Sequence, residues 1–171
     1  AALKVGQAGA DVAIRINRPW RMAIQDLEAA VIGEIDALVL PKVNSPEQVL
    51  AISEVVTELE HERGLEVGRL KYFILVETPE GILRMAETAK ADPRIVAMSV
   101  GGEDLSAAAS MASDDDSLYA SNMHCVMCAR AAGILPLGFV GSIAEFNDTA
   151  AFQAMIERSR RLGFEGSAAI H

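Results

Sequence analysis

Glu77 closes the apolar run Tyr72-Phe73-Ile74-Leu75-Val76, and Asp104 follows the next such run, Ser99-Val100, across Gly101-Gly102-Glu103. A carboxylate at the end of a buried strand is costly unless something positive meets it. If the two runs are neighbouring strands, about 4.8 Å apart, both acids can reach one ion. Two hard oxygen ligands, with room for water and a chelating substrate, suit Mg2+ or Mn2+. The plainer reading is that both acids cap the helices that follow, a task open to Thr78 and Ser106 as well. Gly101 and Gly102 have no Cβ to keep a bound anion from their backbone N–H groups, although an ordinary strand-to-helix turn would also use such a pair.

Arg15 lies inside the apolar run Ile14-Arg15-Ile16-Asn17. Pointing into a cleft, it would clamp a carboxylate through two parallel hydrogen bonds. Pointing outward, it would pair with a helix acid, and strand parity alone does not decide between these. His124, Cys125 and Cys128 share one helical stretch with Met123, Val126 and Met127. A closed zinc site needs a full tetrahedral ligand set, so core packing is the better reading of that cluster. Asp114–Asp116 reads as a solvated loop, and Met85, Met98 and Met155 as core filler.

Elements that could position these residues alternate along the whole chain. Apolar, β-branched runs occur at Val12–Asn17, Ala37–Lys42, Tyr72–Glu77, Ile95–Val100, Leu135–Val140 and Ala168–His171. Between them, helical spacing predicts Ile24–Gly33, Pro46–Arg63, Pro79–Ala91, Ser117–Ala132 and Thr149–Leu162. Ser45-Pro46-Glu47 and Thr78-Pro79-Glu80 each set a capping hydroxyl before a proline at the first helical position. Gly64, Gly133 and Gly163 stand where helices should stop. About six βα units in this order imply a parallel sheet with right-handed crossovers.

An open sheet and a closed eight-unit barrel both fit that rhythm. No glycine-rich phosphate loop follows the first strand, as a dinucleotide-binding sheet would require. Instead, polar residues gather at many strand ends: Arg15 and Asn17, Lys42, Glu77, the Gly101–Asp104 turn and His171. A barrel brings those ends to one axis, so the expected fold is α/β, a (β/α)8 TIM barrel, forming a single domain over residues 1–171. A whole barrel takes roughly 250 residues, so about two units are expected ahead of this stretch and a helix after it.

With 51% hydrophobic residues and 5% aromatic, the interior is built from Ala, Val, Ile, Leu and Met, as in strands buried on both faces. A net charge of −9 argues against nucleic acid or an anionic membrane as the main partner. No run is long and apolar enough to span a bilayer, and the two cysteines give no disulfide framework, so a cytoplasmic location is expected.

Taken together, Ile14-Arg15-Ile16-Asn17, Leu40-Pro41-Lys42-Val43, Glu77-Thr78-Pro79-Glu80-Gly81, Gly101-Gly102-Glu103-Asp104-Leu105, Ala129-Arg130-Ala131-Ala132-Gly133 and Leu162-Gly163-Phe164-Glu165-Gly166 resemble the citrate lyase β-subunit-like family of the HpcH/HpaI aldolase superfamily. They keep the family's order across nearly the whole chain. Ser121, where that family commonly has Arg, and Phe139-Val140, where it often has Ile-Asp, depart from the pattern. The resemblance implies a TIM barrel assembled as a homotrimer or hexamer, with Glu77 and Asp104 holding Mg2+ and Arg15 binding substrate. The activity it implies is carbon–carbon lysis, of retro-Claisen or retro-aldol type, on a β-hydroxyacyl-CoA such as malyl-, citramalyl- or citryl-CoA. Gly101 and Gly102 would receive the substrate carboxylate. A thioester hydrolase on the same substrates, a non-catalytic CoA-ester-binding subunit, and a non-CoA aldolase acting on pyruvate and an aldehyde remain open alternatives, so the expected partner is a CoA thioester or a 2-oxo or hydroxy acid.

Overall fold

The computed structural model describes residues 8–141 and 148–168. Five strands, β1 (Ala13–Arg15), β2 (Ala37–Leu40), β3 (Lys71–Val76), β4 (Ile95–Val100) and β5 (Leu135–Pro136), form one parallel sheet in the order β1-β2-β3-β4-β5. Between and after them lie α1 (Trp20–Ala30), α2 (Pro46–Glu62), α3 (Pro79–Leu83), α4 (Met85–Thr88), α5 (Gly102–Ala109), α6 (Asp115–Ala132) and α7 (Thr149–Arg161). Each strand pairs with its sequence neighbour, the arrangement of a barrel wall rather than of a sheet whose order reverses at a switch point. The sixth expected strand, Ala168–His171, lies outside the described residues except for Ala168. Leu137 and Gly166 form an isolated parallel bridge.

The two faces of the sheet differ. Ile16, Leu38, Leu40, Tyr72, Ile74, Val76 and Met98 pack against the helices and are buried. Arg15 pairs in register with Val39, Val39 with Phe73, and Phe73 with Ala97, while Leu75 pairs with Ser99. Most of that second face is only partly covered, so β2 and β3 alternate in burial instead of being sealed on both sides as their composition suggested. In a barrel wall this is the inner face. Burying an apolar side chain contributes roughly 1.5–3 kcal/mol, which makes the helix-covered face the main source of cohesion.

Local chemistry explains most boundaries. Ser45 Oγ accepts from Gln48 N at 3.3 Å and Thr78 Oγ1 from Gly81 N at 3.1 Å, so both expected caps form. Gly133, at φ +72°, ends α6 as an αL cap. The predicted Pro79–Ala91 helix is instead two pieces. At their junction Arg84 N bonds Gly81 O, a tight i to i−3 contact, and its side chain reaches Glu47 on α2. Helix α1 starts earlier than predicted because the Pro19 carbonyl accepts from both Met22 N and Ala23 N. Strand β5 is shorter than predicted, since Pro136 has no N–H to donate and Gly138 sits at φ +139°. Asp114–Asp116 is not a loop. Asp114 caps α6 and Asp115 pairs with Arg158 at 2.7 Å.

Candidate active site

The carboxyl ends of the strands surround a cleft of about 300 Å³. Arg15, Phe73, Leu75 and Ser99 come from the inner face; Glu77 and the Gly101–Asp104 turn form its rim; Leu118 and Asn122 enter from α6. Arg15, Glu77, Gly101, Gly102 and Asp104, the residues that the resemblance assigns to the site, therefore all line it. Arg15 faces inward, which resolves the parity question in favour of the cleft, although its side chain stays solvent-accessible.

Glu77 is 6% exposed. Its Oε2 accepts from the Lys42 backbone N–H at 3.1 Å, and its Oε1 accepts no hydrogen bond among the described residues. Burial raises the Glu77 carboxyl above its ordinary range, and the nearby charge of Asp104 adds to that; Lys42 and Arg15 pull the other way. Such a group has two ways to settle, by taking a proton or by meeting a cation.

Asp104 sits in the first turn of α5, where the helix dipole favours an acid, and its Oδ1 lies 2.9 Å from the Lys42 ammonium. Lys42 thus touches both acids, one through its backbone and one through its side chain. To do so it adopts φ +51°, unusual for a residue with a Cβ, and its carbonyl accepts from Arg18 Nε at 3.3 Å. The sequence reading placed Lys42 at a strand end but gave it no role.

The glycine pair serves a different purpose from the one expected. Gly101 N–H donates to Val76 O at 3.0 Å, so that amide is committed to the sheet and cannot meet an anion. A Cβ on Gly101 would lie 2.5 Å from Glu77 Cγ and 2.8 Å from its Oε1. One on Gly102 would lie 2.8 Å from a Leu118 methyl. Both positions are glycine because the acid and α6 pack directly on the backbone. Of the two amides, only Gly102's lacks a backbone partner within the sheet.

A dication fits these residues. The open, buried Oε1 of Glu77 and the partly exposed Asp104 carboxylate are hard oxygen donors. Among the described residues no third His, Cys, Asp or Glu joins a metal-binding group, which leaves the remaining positions to water and ligand oxygens, the usual habit of Mg2+. The helical thiols do not compete. Cys125 is fully buried and Cys128 nearly so, in the core as expected, with His124 Nε2 3.6 Å from Cys128 Sγ.

Acids and cations gathered at the carboxyl ends of successive parallel strands define a (β/α)-barrel protein with its site at the strand mouth. The chain belongs to the HpcH/HpaI aldolase/citrate lyase family, whose model matches residues 1–171. It is 31% identical over 171 residues to an L-malyl-CoA/β-methylmalyl-CoA lyase of Rhodobacter capsulatus, covering 89% of this chain and 53% of that protein. It is 31% identical over 163 residues to the citrate lyase subunit β of Escherichia coli, covering 92% of this chain and 53% of that protein. Among solved structures, CitE of Mycobacterium tuberculosis in complex with magnesium, acetoacetate and coenzyme A superposes with a TM-score of 0.74 at 27% identity, over 93% of this chain and 56% of that one. The chain spans about half the length of the curated relatives it matches. Among the described residues, five consecutive βα units make up a partial TIM-barrel-like fold. Among the described residues no helix is long and apolar enough to cross a membrane.

Proposed function

We propose that this protein is a Mg2+-dependent carbon–carbon lyase acting on a β-hydroxyacyl-CoA of the malyl, citramalyl or citryl type. The observation that carries the reading is the buried Glu77 carboxylate, held open toward the cleft beside Asp104. Two named lyases among its relatives and a magnesium- and coenzyme A-bound structural neighbour support the same chemistry. Glu77 and Asp104 would hold the metal. Bound there, it supplies stabilisation for the negative charge that develops on substrate oxygens as the carbon–carbon bond breaks. Arg15, on the inner face, fixes a substrate carboxylate or thioester carbonyl, and Gly102 N–H offers a neutral donor at the same rim. Phe73, Leu75 and Leu118 supply apolar walls that limit water around the reacting atoms.

The test is metal binding and turnover in full-length protein carrying Glu77→Ala or Asp104→Ala. Each variant is expected to lose Mn2+ binding and about three orders of magnitude in turnover, since several kcal/mol of charge stabilisation disappear. Wild-type activity in either variant would sink the assignment. Product analysis separates lysis from thioester hydrolysis: an acyl-CoA plus an oxo acid marks the lyase, free CoA with an intact hydroxy acid the hydrolase.

A further inference from the structure

Helix α6 turns a regular stripe toward the sheet: Leu118, Asn122, Cys125 and Ala129, all buried. Asn122 is the polar exception in that stripe. It is 5% exposed, lines the cleft, and its carboxamide makes no hydrogen bond among the described residues. Nor is it among the side-chain atoms sealed off without a partner, so what remains open of it opens on the cleft. Buried carboxamides are almost always paired, because the alternative is desolvation with nothing in return. A cleft-lining amide with two donors and an acceptor unspent is therefore poised for a ligand.

Position narrows the choice of ligand group. Leu118, one turn before Asn122, packs against Gly102 and pins α6 to the rim beside Asp104. Arg15 lines the cleft from β1, four strands from β5, with Glu77 just after β3 and Asp104 in the helix after β4 between them. A ligand gripped in the middle by its chelating oxygens thus has one end toward a guanidinium and the other toward a neutral amide, with Leu118 and Phe139 as the nearby apolar surface. We propose that Asn122 is a substrate-recognition residue. Its carboxamide donates to an acceptor oxygen on the end of the ligand remote from Arg15, so the cleft selects acids with an oxygen-bearing group at both ends over those with an alkyl end. This rests on the reading that the cleft holds a metal-chelated hydroxy or oxo acid.

The experiment uses full-length wild type, Asn122→Leu and Asn122→Ala. Mn2+ binding is followed by electron paramagnetic resonance, and malate and lactate binding by calorimetry in saturating Mn2+. Ala is uncharged, favours the helix and needs no new space, so it removes the donor cleanly and decides the matter if the Leu variant does not fold. The expected result is that wild type prefers malate and both variants keep Mn2+ affinity. They lose malate affinity by about tenfold or more while lactate changes little, because a site that hydrogen-bonds a group discriminates strongly for it. Unchanged malate binding, or malate and lactate weakening together, overturns the proposal. A wild type that binds Mn2+ and lactate with no preference for malate overturns it alone; one that binds no Mn2+ overturns the metal-site reading and this inference with it.

Discussion

The Lys42 ammonium lies 2.9 Å from Asp104 Oδ1, while the backbone N–H of the same lysine donates to Glu77. One residue therefore balances both acids across 62 positions of sequence. The hydrogen bond to Asp104 raises the lysine's affinity for its proton, with the charges of both acids adding to it. A dication arriving at Asp104 must compete with that ammonium. Lys42→Met should accordingly tighten Mn2+ binding, by up to about fivefold, since a partly exposed ion pair contributes at most about 1 kcal/mol. Titration of both proteins with Mn2+ reads this directly. Weaker binding in the variant would mean that the lysine helps to assemble the site instead of competing for it.

Gly101 makes a sharper prediction. Its φ of −86° is open to any residue, so alanine introduces no backbone strain there. The new methyl would nevertheless overlap the Glu77 side chain, at 2.5 Å from Cγ. Gly101→Ala should keep the circular dichroism of the wild type and lose Mn2+ affinity by about tenfold or more, as expected when a ligand's orientation is disturbed. Gly133→Ala is the control. At φ +72° with open space around it, that change should cost about 1 kcal/mol of stability and leave the site untouched.

Much of this arrangement is readable in the residues themselves, because strand ends and helix caps are local properties. Thr78-Pro79 announces the helix after Glu77, and the apolar runs place Arg15, Glu77 and Asp104 at the mouths of three different strands. What could not be read depends on the third dimension. Helix α5 is hidden because Ala107-Ala108-Ala109 lacks the polar–apolar rhythm that marks an amphipathic helix. Lys42 looks like any strand-end lysine until Asp104 is brought beside it. Asn122 sits among Ser121 and Met123, and only the helix's rotation against the sheet shows that its amide faces the cleft. Glu60, between Glu58 and Glu62 in a charged helix, gives no hint that it alone is enclosed.

That enclosure is complete: Glu60 is 0% exposed and its partner Arg94 4%. Arg94 donates to both carboxylate oxygens, at 3.0 and 2.6 Å, and to Thr57 Oγ1, while Gly68 and Leu70 N–H groups also reach Glu60. Burial pushes the Glu60 carboxyl up, but Arg94 and the two backbone donors outweigh it and hold the carboxyl below its ordinary value. Because the folded form binds the proton less tightly than the unfolded form, this stabilisation is complete above the usual glutamate range. It is lost as pH falls through the lowered folded value. Denaturant titrations from neutral pH downward should show that loss, and Glu60→Gln should flatten it. Arg94→Met, which strands a buried carboxylate, should cost about 3–5 kcal/mol at neutral pH. Its stability should then rise on mild acidification, the opposite slope to wild type.

The cysteines separate core packing from reactivity. Burial pushes the Cys125 thiol up to about 12 and raises Cys128 as well, where it outweighs the opposing charge of Lys90. Since the thiolate is the reactive form, neither sulfur should react with a disulfide reagent at pH 8 while the protein is folded. In denaturant both should titrate at once, giving two equivalents per chain, matching the two free cysteines. Fast modification of the native protein, or protection that depends on zinc, would show that His124 and Cys128 form a chemical site. The same titration repeated with saturating Mn2+ should give an unchanged native result, because the metal expected at Glu77 and Asp104 prefers oxygen to sulfur.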